Sequence, residues 1–289
     1  GIRSNDTHNS YPADGDEKRN DFLYPVKVNI PSDVKIKSIA AGKRHSLALT
    51  ENGEVYIWGY TEVNNIVWGD YYQNNIVTRT GYHKSSYESV VGDANQERRY
   101  GIVTPKLVKL DSDNTQNLTD VISIAAGDDV SYAVKADGTV WTWGDNTYGQ
   151  LGDGTYGTSN VDKFVPRQVR IGQNESNTKL LTNIKYVAAG ANSSAAIDQD
   201  GLLYVWGNND NGQLGVDGKI VAYPTLVEAL KDNPATPNAD ETILVSAVEL
   251  SESHTIIIDA LTKRAYTWGK NDHNQLGYQQ SILNNGKPM

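Results

Sequence analysis

Histidines and carboxylates are the side chains of this sequence that could do acid–base or metal chemistry near neutral pH. The chain has five histidines: His8, His45, His83, His254 and His273. No two of them have the four-residue spacing that places two zinc ligands on one face of a predicted helix. His45 and His254 fall at the same place in a repeated unit, and a repeated position favours a structural role. The histidines therefore predict neither a catalytic base nor a metal site.

Other chemical motifs are equally weak. Two acidic stretches, DQDG at 198–201 and NNDNG at 208–212, faintly resemble calcium loops. Neither is followed by the glutamate that completes such a loop, so hairpin turns explain both. GDGTYGTS at 152–159 lacks the lysine of a phosphate-binding loop. The chain has no cysteine, which excludes disulfides, thiolate nucleophiles and cysteine-ligated zinc. We therefore expect no enzyme activity, no cofactor and no metal.

The sequence contains a unit that occurs four times, at 36–59, 121–144, 184–207 and 245–269. The strands and loops of this unit must position any functional side chain. A glycine and a tryptophan sixteen residues apart recur in the first three copies, and the tryptophan recurs in the fourth. These structural repeat residues are Gly42, Trp58, Gly127, Trp143, Gly190, Trp206 and Trp268. Such internal repetition is typical of an array of similar structural units.

Each copy predicts short β-strands. Asn-Gly or Asp-Gly stands between two apolar runs in the first three copies, and glycine accepts the positive φ of a tight hairpin. Tyr56 and Trp58, two residues apart, share one face of the strand that follows. A segment marked by proline supplies a fourth strand, at 104–110, 165–171 and 223–229. Four short antiparallel strands make one blade of a β-propeller.

The joint between the first two copies carries a long insert at 60–103 in place of a short polar turn. Loops longer than about 15 residues inside a compact domain are usually functional or disordered. The insert is rich in aromatic residues: Trp68, Tyr71, Tyr72, Tyr82, Tyr87 and Tyr100. Because aromatic residues dominate binding hot spots, we expect a partner-binding surface here. Local packing that holds the insert together is the alternative interpretation.

Charge and composition narrow the classes of partner. The formal net charge is −9, which argues against binding to a nucleic acid backbone. No apolar stretch of about 18 residues predicts a membrane helix, and the polar N-terminus lacks the core of a signal peptide. We expect residues 1–21 to be a flexible segment and residues 22–289 to form one propeller domain.

The pattern IAAG, HSLALT, GEVYIWG and NGQLG, followed by a proline, resembles the repeat of the regulator of chromosome condensation (RCC1-type) family. The resemblance covers roughly residues 24–276 outside the inserts. It implies an all-β fold, a β-propeller built from four-stranded blades. The family usually has seven blades, whereas about four are present here. Three interpretations stay open: a partial propeller, a ring completed by the N-terminal strand at 22–28, and closure through another chain.

From these observations we expect a non-enzymatic protein-binding or scaffold module that acts through rim loops and the aromatic insert. The resemblance implies a bacterial secreted or cell-surface protein, with a cytoplasmic location as the alternative. A surface glycan and self-assembly are further candidate interactions. Two other functions follow from the resemblance: a guanine-nucleotide exchange factor for a small GTPase, and a propeller that inhibits an enzyme or binds a glycan.

Overall fold

A computed structural model describes residues 25–61, 88–90, 99–110, 115–157, 165–172, 179–230 and 242–277. Over these residues antiparallel strands form four separate sheets, and one short 3₁₀ turn lies at Glu228–Leu230. Each sheet corresponds to one copy of the repeat, so we call the sheets blades 1 to 4. The described part of the chain has no helix with the length and apolar character needed to cross a membrane.

The strands of blades 2 to 4 lie side by side in chain order, whereas blade 1 has an added edge strand. Blade 1 contains β1 (Ile36–Ala41), β2 (His45–Thr50), β3 (Val55–Thr61), β4 (Glu88–Val90) and β5 (Arg99–Leu107), in the spatial order β1-β2-β3-β5-β4. Blade 2 contains β6 (Val121–Ala126), β7 (Val130–Lys135), β8 (Val140–Gly144) and β9 (Arg167–Gln168). Blade 3 contains β10 (Ile184–Ala189), β11 (Ser193–Asp198), β12 (Leu203–Asn208) and β13 (Ile220–Leu226). Blade 4 contains β14 (Val245–Leu250), β15 (His254–Asp259) and β16 (Ala265–Gly269).

The turn between the second and third strands shows why the repeat folds in this way. Gly53, Gly138 and Gly201 have φ of 80°, 80° and 89°, in the left-handed region that glycine adopts without strain. The flanking strands therefore pair directly after the turn, with Leu49 opposite Val55 in blade 1. These are the hairpins that the Asn-Gly and Asp-Gly pairs predict.

The core lies between blades. Alternate residues of β7 belong to different apolar clusters: Tyr132 and Val134 to one shared by blades 2, 3 and 4, and Ala133 to one shared by blades 1 and 2. Trp206 lies in the first cluster and Trp143 in the second, and both are fully buried. The period-two alternation of a strand thus divides a middle blade between its two neighbours. Burial of this apolar surface holds the blades together.

Closure by an N-terminal strand at 22–28, one of the three interpretations left open by the sequence, is not seen in the described residues. Residues 25–30 form no strand, and blade 4 has three strands within the described residues. The described part of the segment at 22–28 therefore does not complete blade 4, and the blades form an open arc. The segment predicted to be flexible, residues 1–21, lies outside the described residues.

Candidate functional site

Two sets of loops meet at one end of the blades, which we call the upper rim. The first set joins the first and second strands, at 42–44, 127–129, 190–192 and 251–253. The second set follows the third strand, at 145–152, 208–215 and 270–277. Backbone bonds tie the two sets together: the Asn208 amide donates to the Asn192 carbonyl at 2.9 Å, and the Lys270 amide donates to the Ser253 carbonyl at 2.9 Å.

An asparagine organises each loop of the second set: Asn146 and Asn209 are buried, and Asn271 is partly exposed. Asn209 donates its side-chain amide to the carbonyls of Val216 and Gly218, both at 2.7 Å, and its Oδ1 accepts from the Leu214 amide at 2.8 Å. The bond from the leucine amide recurs in the other two loops, from Leu151 to Asn146 at 3.0 Å and from Leu276 to Asn271 at 3.1 Å. Because a satisfied buried polar group rigidifies its surroundings, these loops have defined conformations.

The same loops connect neighbouring blades. Leu151 is fully buried, and the carbonyl of Gln150 accepts hydrogen bonds from Trp206 Nε1 at 2.7 Å and from the Tyr132 hydroxyl at 3.1 Å. Trp143 is just as buried, yet its Nε1 has no hydrogen-bond partner among the described residues. Trp268 Nε1 also has no partner among the described residues, although the loop before blade 4 has the Gln-Leu-Gly sequence that the insert of blade 1 lacks. The tryptophans of the repeat are therefore equivalent in register but not in bonding.

Blade 1 is the exception at the upper rim. β3 and β5 continue beyond the end of β2 and pair Thr61 with Tyr100. β4 then adds along the outer edge of β5, with Ser89 opposite Tyr100. The insert thus begins as a three-stranded ribbon that stands on the rim. Of the predicted aromatic surface, Tyr100 lies on β5, and the rest lie outside the described residues: Trp68, Tyr71, Tyr72, Tyr82 and Tyr87.

The remaining predicted residues belong to the scaffold. The four tryptophans lie at equivalent register positions, with Trp58 opposite Ser46 and Trp268 opposite Thr255 at the two ends of the series. The three glycines lie where neighbouring blades approach most closely. A Cβ on Gly42 would be 2.4 Å from the carbonyl oxygen of Gly127, closer than real Cβ contacts allow.

Charge divides the rim into a paired and an acidic part. Lys43 and Arg44 of blade 1 bind Asp128 and Asp129 of blade 2, at 3.1 and 2.9 Å. Exposed pairs contribute about 0–1 kcal/mol each, so they align the two blades more than they stabilise them. The rim loops of blades 2 to 4 otherwise carry one basic residue, Lys270, and several acidic ones: Asp145, Asp210, Glu252 and Asp272. A hydrogen bond from Lys270 is the main reason that the pKa of Asp272 lies well below its usual range.

Sequence reasoning missed the two ion pairs, although a signal for them exists. Alignment of the repeats places Lys-Arg of the first copy at the position of Asp-Asp in the second. Since equivalent loops of adjacent blades are neighbours in a propeller, opposite charges at one repeat position indicate a contact.

The two repeated histidines act within the scaffold. His45 is 4 % exposed, and its Nε2 lies 2.9 Å from Ser131 Oγ of blade 2. Burial lowers the pKa of His45 below 6.5, opposed by the charge of Asp129. His254 Nδ1 lies 2.5 Å from Ser251 Oγ in its own turn. His45 therefore joins two blades, while His254 closes a loop.

The described residues bring together no three histidine, aspartate or glutamate side chains that could hold a metal ion. The two acidic stretches are turns. Asp198 Oδ1 accepts from the amides of Asp200 and Leu202, and Asn208 Oδ1 accepts from the Asp210 amide. Their oxygens thus bond to their own backbone.

Known proteins share this sequence pattern over most of the chain. The chain is 26% identical to Protein pim1 of Schizosaccharomyces pombe over 286 residues, covering 96% of this chain and 43% of pim1. It is 26% identical to the ultraviolet-B receptor UVR8 of Arabidopsis thaliana, covering 83% of this chain and 58% of the receptor. It is 25% identical to the guanine nucleotide exchange factor SRM1 of Saccharomyces cerevisiae, covering 86% and 42%. The chain spans about half the length of these relatives.

Solved structures share the fold. Yeast RCC1 (Prp20), in a crystal structure with bound Kap60, superposes with a TM-score of 0.58 at 24% identity, covering 87% of this chain and 46% of Prp20. Human WBSCR16 superposes with a TM-score of 0.57 at 24% identity, covering 86% and 51%. The model of the RCC1-like domain matches residues 4–288. The repeat, the blades and this match agree: the chain belongs to the family of RCC1-like domains.

Proposed function

We propose that this chain is a protein-binding module that acts through its upper rim, with the insert of blade 1 as the main contact and the acidic loops of blades 2 to 4 as its surroundings. One observation carries the proposal. Three loops of the rim share the same asparagine-centred bonding, whereas blade 1 replaces that loop with a ribbon of paired strands that leads into an aromatic segment. A long insert on a rigid frame is typical of a binding element.

Charge indicates the chemistry of the partner. The acidic side chains on the rim favour a partner with a basic contact surface, because complementary charge speeds encounter and suppresses wrong partners. Proteins of similar fold support the class of partner. Yeast RCC1 (Prp20) has been crystallised with bound Kap60, and its binding properties to Gsp1p and histones have been described. We carry over to this chain only the general kind of function, the binding of proteins.

A loop exchange tests the proposal. Gly59 pairs with Ile102 in blade 1 as Gly207 pairs with Val221 in blade 3. Residues 60–100 can therefore be replaced by a copy of residues 208–219 with the strand register kept. We expect this variant to fold, as shown by an unchanged far-ultraviolet circular dichroism spectrum, and to lose the proteins that the native chain retains from a lysate of its source. A glycan array run alongside would identify a carbohydrate ligand instead.

Retention of every partner by the loop-exchanged protein would contradict the role of the insert. A second variant, Asp210→Lys with Glu252→Lys, examines the acidic rim separately while the insert stays intact. We expect weaker binding and a smaller dependence on salt concentration. Unchanged affinity and unchanged salt dependence would remove the acidic loops from the proposal.

Exchange-factor activity is a second candidate, favoured by the names of relatives. SRM1 of Saccharomyces cerevisiae and the secretion-regulating guanine nucleotide exchange factor of Bos taurus are 25% and 26% identical to this chain. The chain covers 42% of each relative. The sequence similarity alone therefore does not assign their exchange activity to this chain. Release of a fluorescent guanine nucleotide from a panel of small GTPases tests this candidate. No acceleration by the native chain across the panel would reject it.

Location outside the cell, in a bacterial secreted or cell-surface protein, is likewise a proposal, and the cytoplasm is its alternative. Its support is the cysteine-free composition and the resemblance noted above, whereas the relatives compared here come from fungi, a plant and a mammal. Fractionation of the source cells with an antibody against the chain distinguishes the two locations.

A further inference from the structure

The pair Asn-Gly occurs three times in the chain, at 52–53, 211–212 and 285–286. The third copy lies outside the described residues. An asparagine that precedes glycine can lose its side-chain amide without an enzyme, because glycine has no Cβ to keep its backbone nitrogen away from the asparagine side-chain carbon. The fold places the two described copies in different surroundings, so their reactivity should differ.

The first copy forms the lower hairpin turn of blade 1, against blade 2. Asn52 is exposed, but Gly53 is buried. The Gly53 amide donates to the Thr50 carbonyl at 3.1 Å, and the Gly53 carbonyl accepts from the Val121 amide of blade 2 at 3.0 Å. A Cβ on Gly53 would lie 3.1 Å from that Val121 nitrogen. The backbone between Asn52 and Gly53 therefore cannot rotate far without separating the two blades.

The second copy lies in the rim loop of blade 3, where both Asn211 and Gly212 are exposed. Apart from the two neighbouring residues, no heavy atom of the described chain lies within 4 Å of the place that a Cβ on Gly212 would take. The Gly212 amide donates to the Asn209 carbonyl at 3.1 Å, within the same loop. Opening this one turn bond frees the nitrogen of Gly212, and no contact between blades has to break at that point.

We infer that Asn211 is a site of spontaneous deamidation on the upper rim, and that the fold protects Asn52 from the same reaction. The freed Gly212 nitrogen attacks the side-chain carbon of Asn211 and forms a carbon–nitrogen bond. The proton of the Gly212 nitrogen passes through water to the side-chain amide, which leaves as ammonia. Water then opens the succinimide ring at either of its carbonyls, and the product is aspartate or isoaspartate. The reaction consumes one water and needs no oxidant or reductant.

The product changes the rim in charge and in shape. A carboxylate at position 211 joins the acidic side chains of Asp210 and Glu252. Isoaspartate also lengthens the backbone by one methylene group beside Gln213, whose Oε1 accepts from the Asn211 amide at 2.9 Å and whose Nε2 donates to the Glu252 carbonyl of blade 4 at 3.3 Å. The conversion therefore alters the binding surface as the protein ages, a consequence that rests on the proposed function.

Peptide mapping by mass spectrometry measures the conversion in the native chain without any partner. The folded protein is incubated at mildly alkaline pH in water enriched in heavy oxygen and then digested at acidic pH, so that only conversion during the incubation carries the label. We expect Asn211 to convert at least tenfold faster than Asn52, with isoaspartate confirmed by an isoaspartyl methyltransferase assay. In denaturing urea the two asparagines should convert at similar rates, because the difference comes from the fold.

Gly212→Asn is the matched control, since Asn274 holds the equivalent left-handed position in the rim loop of blade 4, with φ of 58° against 69° for Gly212. We expect this variant to keep the native circular dichroism spectrum, and conversion of Asn211 to fall at least tenfold. Equal rates at Asn52 and Asn211 in the folded native chain would overturn the inference. So would an Asn211 that converts only in urea, or one whose rate Gly212→Asn leaves unchanged. Failure of the proposed function would leave all of these rates as they are.

Discussion

At the scale of single residues, Trp143 and Trp206 are equivalent in sequence and burial but differ by one hydrogen bond. Trp206 Nε1 donates to the Gln150 carbonyl at 2.7 Å, and Trp143 Nε1 has no partner among the described residues. We expect Trp206→Phe to lower the free energy of unfolding by about 1 kcal/mol more than Trp143→Phe, since a net hydrogen bond is worth about that much. Urea denaturation followed by circular dichroism measures both variants. Equal losses would mean that the indole bond adds nothing to stability.

His45 predicts a dependence of stability on pH. Its pKa in the folded protein lies below 6.5 because the ring is buried, while in the unfolded chain it returns to about 6.5. Between these two values the unfolded state binds more protons, so the free energy of unfolding falls as the pH is lowered through this window. We expect urea midpoints to drop between pH 7 and pH 5.5, and His45→Gln to reduce that drop. His273→Gln, at a side chain that is 85% exposed, is the control, and an equal reduction there would contradict the assignment.

Local chemistry explains which residues could be predicted from sequence. Gly53 and Gly138 lie in turns whose φ only glycine adopts readily. Tyr56 and Trp58 share one face because side chains alternate along a strand. Both features can be predicted from a few neighbouring residues. The bond between His45 and Ser131 joins residues 86 positions apart. It depends on the rotation between blades, which no local pattern encodes.

At the scale of elements, the rim loop of blade 3 depends on one asparagine. The Asn209 side chain makes three hydrogen bonds to backbone groups and is 6% exposed, so its removal takes this partner from the buried Leu214 amide and from two partly buried carbonyls. We expect Asn209→Ala to lower the free energy of unfolding by about 2–3 kcal/mol. Asn211→Ala, at an exposed position of the same loop, should change it by less than about 0.5 kcal/mol. Thermal and urea unfolding compare the two, and similar losses would show that the loop does not depend on Asn209.

The fourth strand of each blade, at the outer edge of the sheet, was harder to predict than the first three strands. The fourth strand differs in length from blade to blade. Blade 3 has a full one in β13, blade 2 has the two residues of β9, and residues 25–30 form none. The proline-marked segments look similar in sequence, so the length of each outer strand depends on the connection that precedes it. The ribbon of β4 and β5 follows from the insert, whose pairing has no counterpart elsewhere in the repeat.

At the scale of the whole molecule, the described residues form a one-dimensional array in which neighbouring blades contact each other. Stability in such arrays is the sum of blade and contact terms, so blades covered on both sides should open less often than blades at the ends. The structure offers two matched comparisons. β10 and β1 are first strands of a covered and an end blade, and β11 and β15 are second strands of a covered and an end blade.

We expect amide hydrogens of β10 and β11 to exchange at least tenfold more slowly than those of β1 and β15, measured by hydrogen–deuterium exchange with mass spectrometry. Strand type and hydrogen-bond pattern are the same within each pair, so the difference isolates the effect of a missing neighbour. The exposed Ile39 and Ile258 mark where that neighbour is absent. Equal exchange in all four strands would mean that the arc opens as one cooperative unit, and the blade–blade contacts would then be stronger than the exposure of the two end faces indicates.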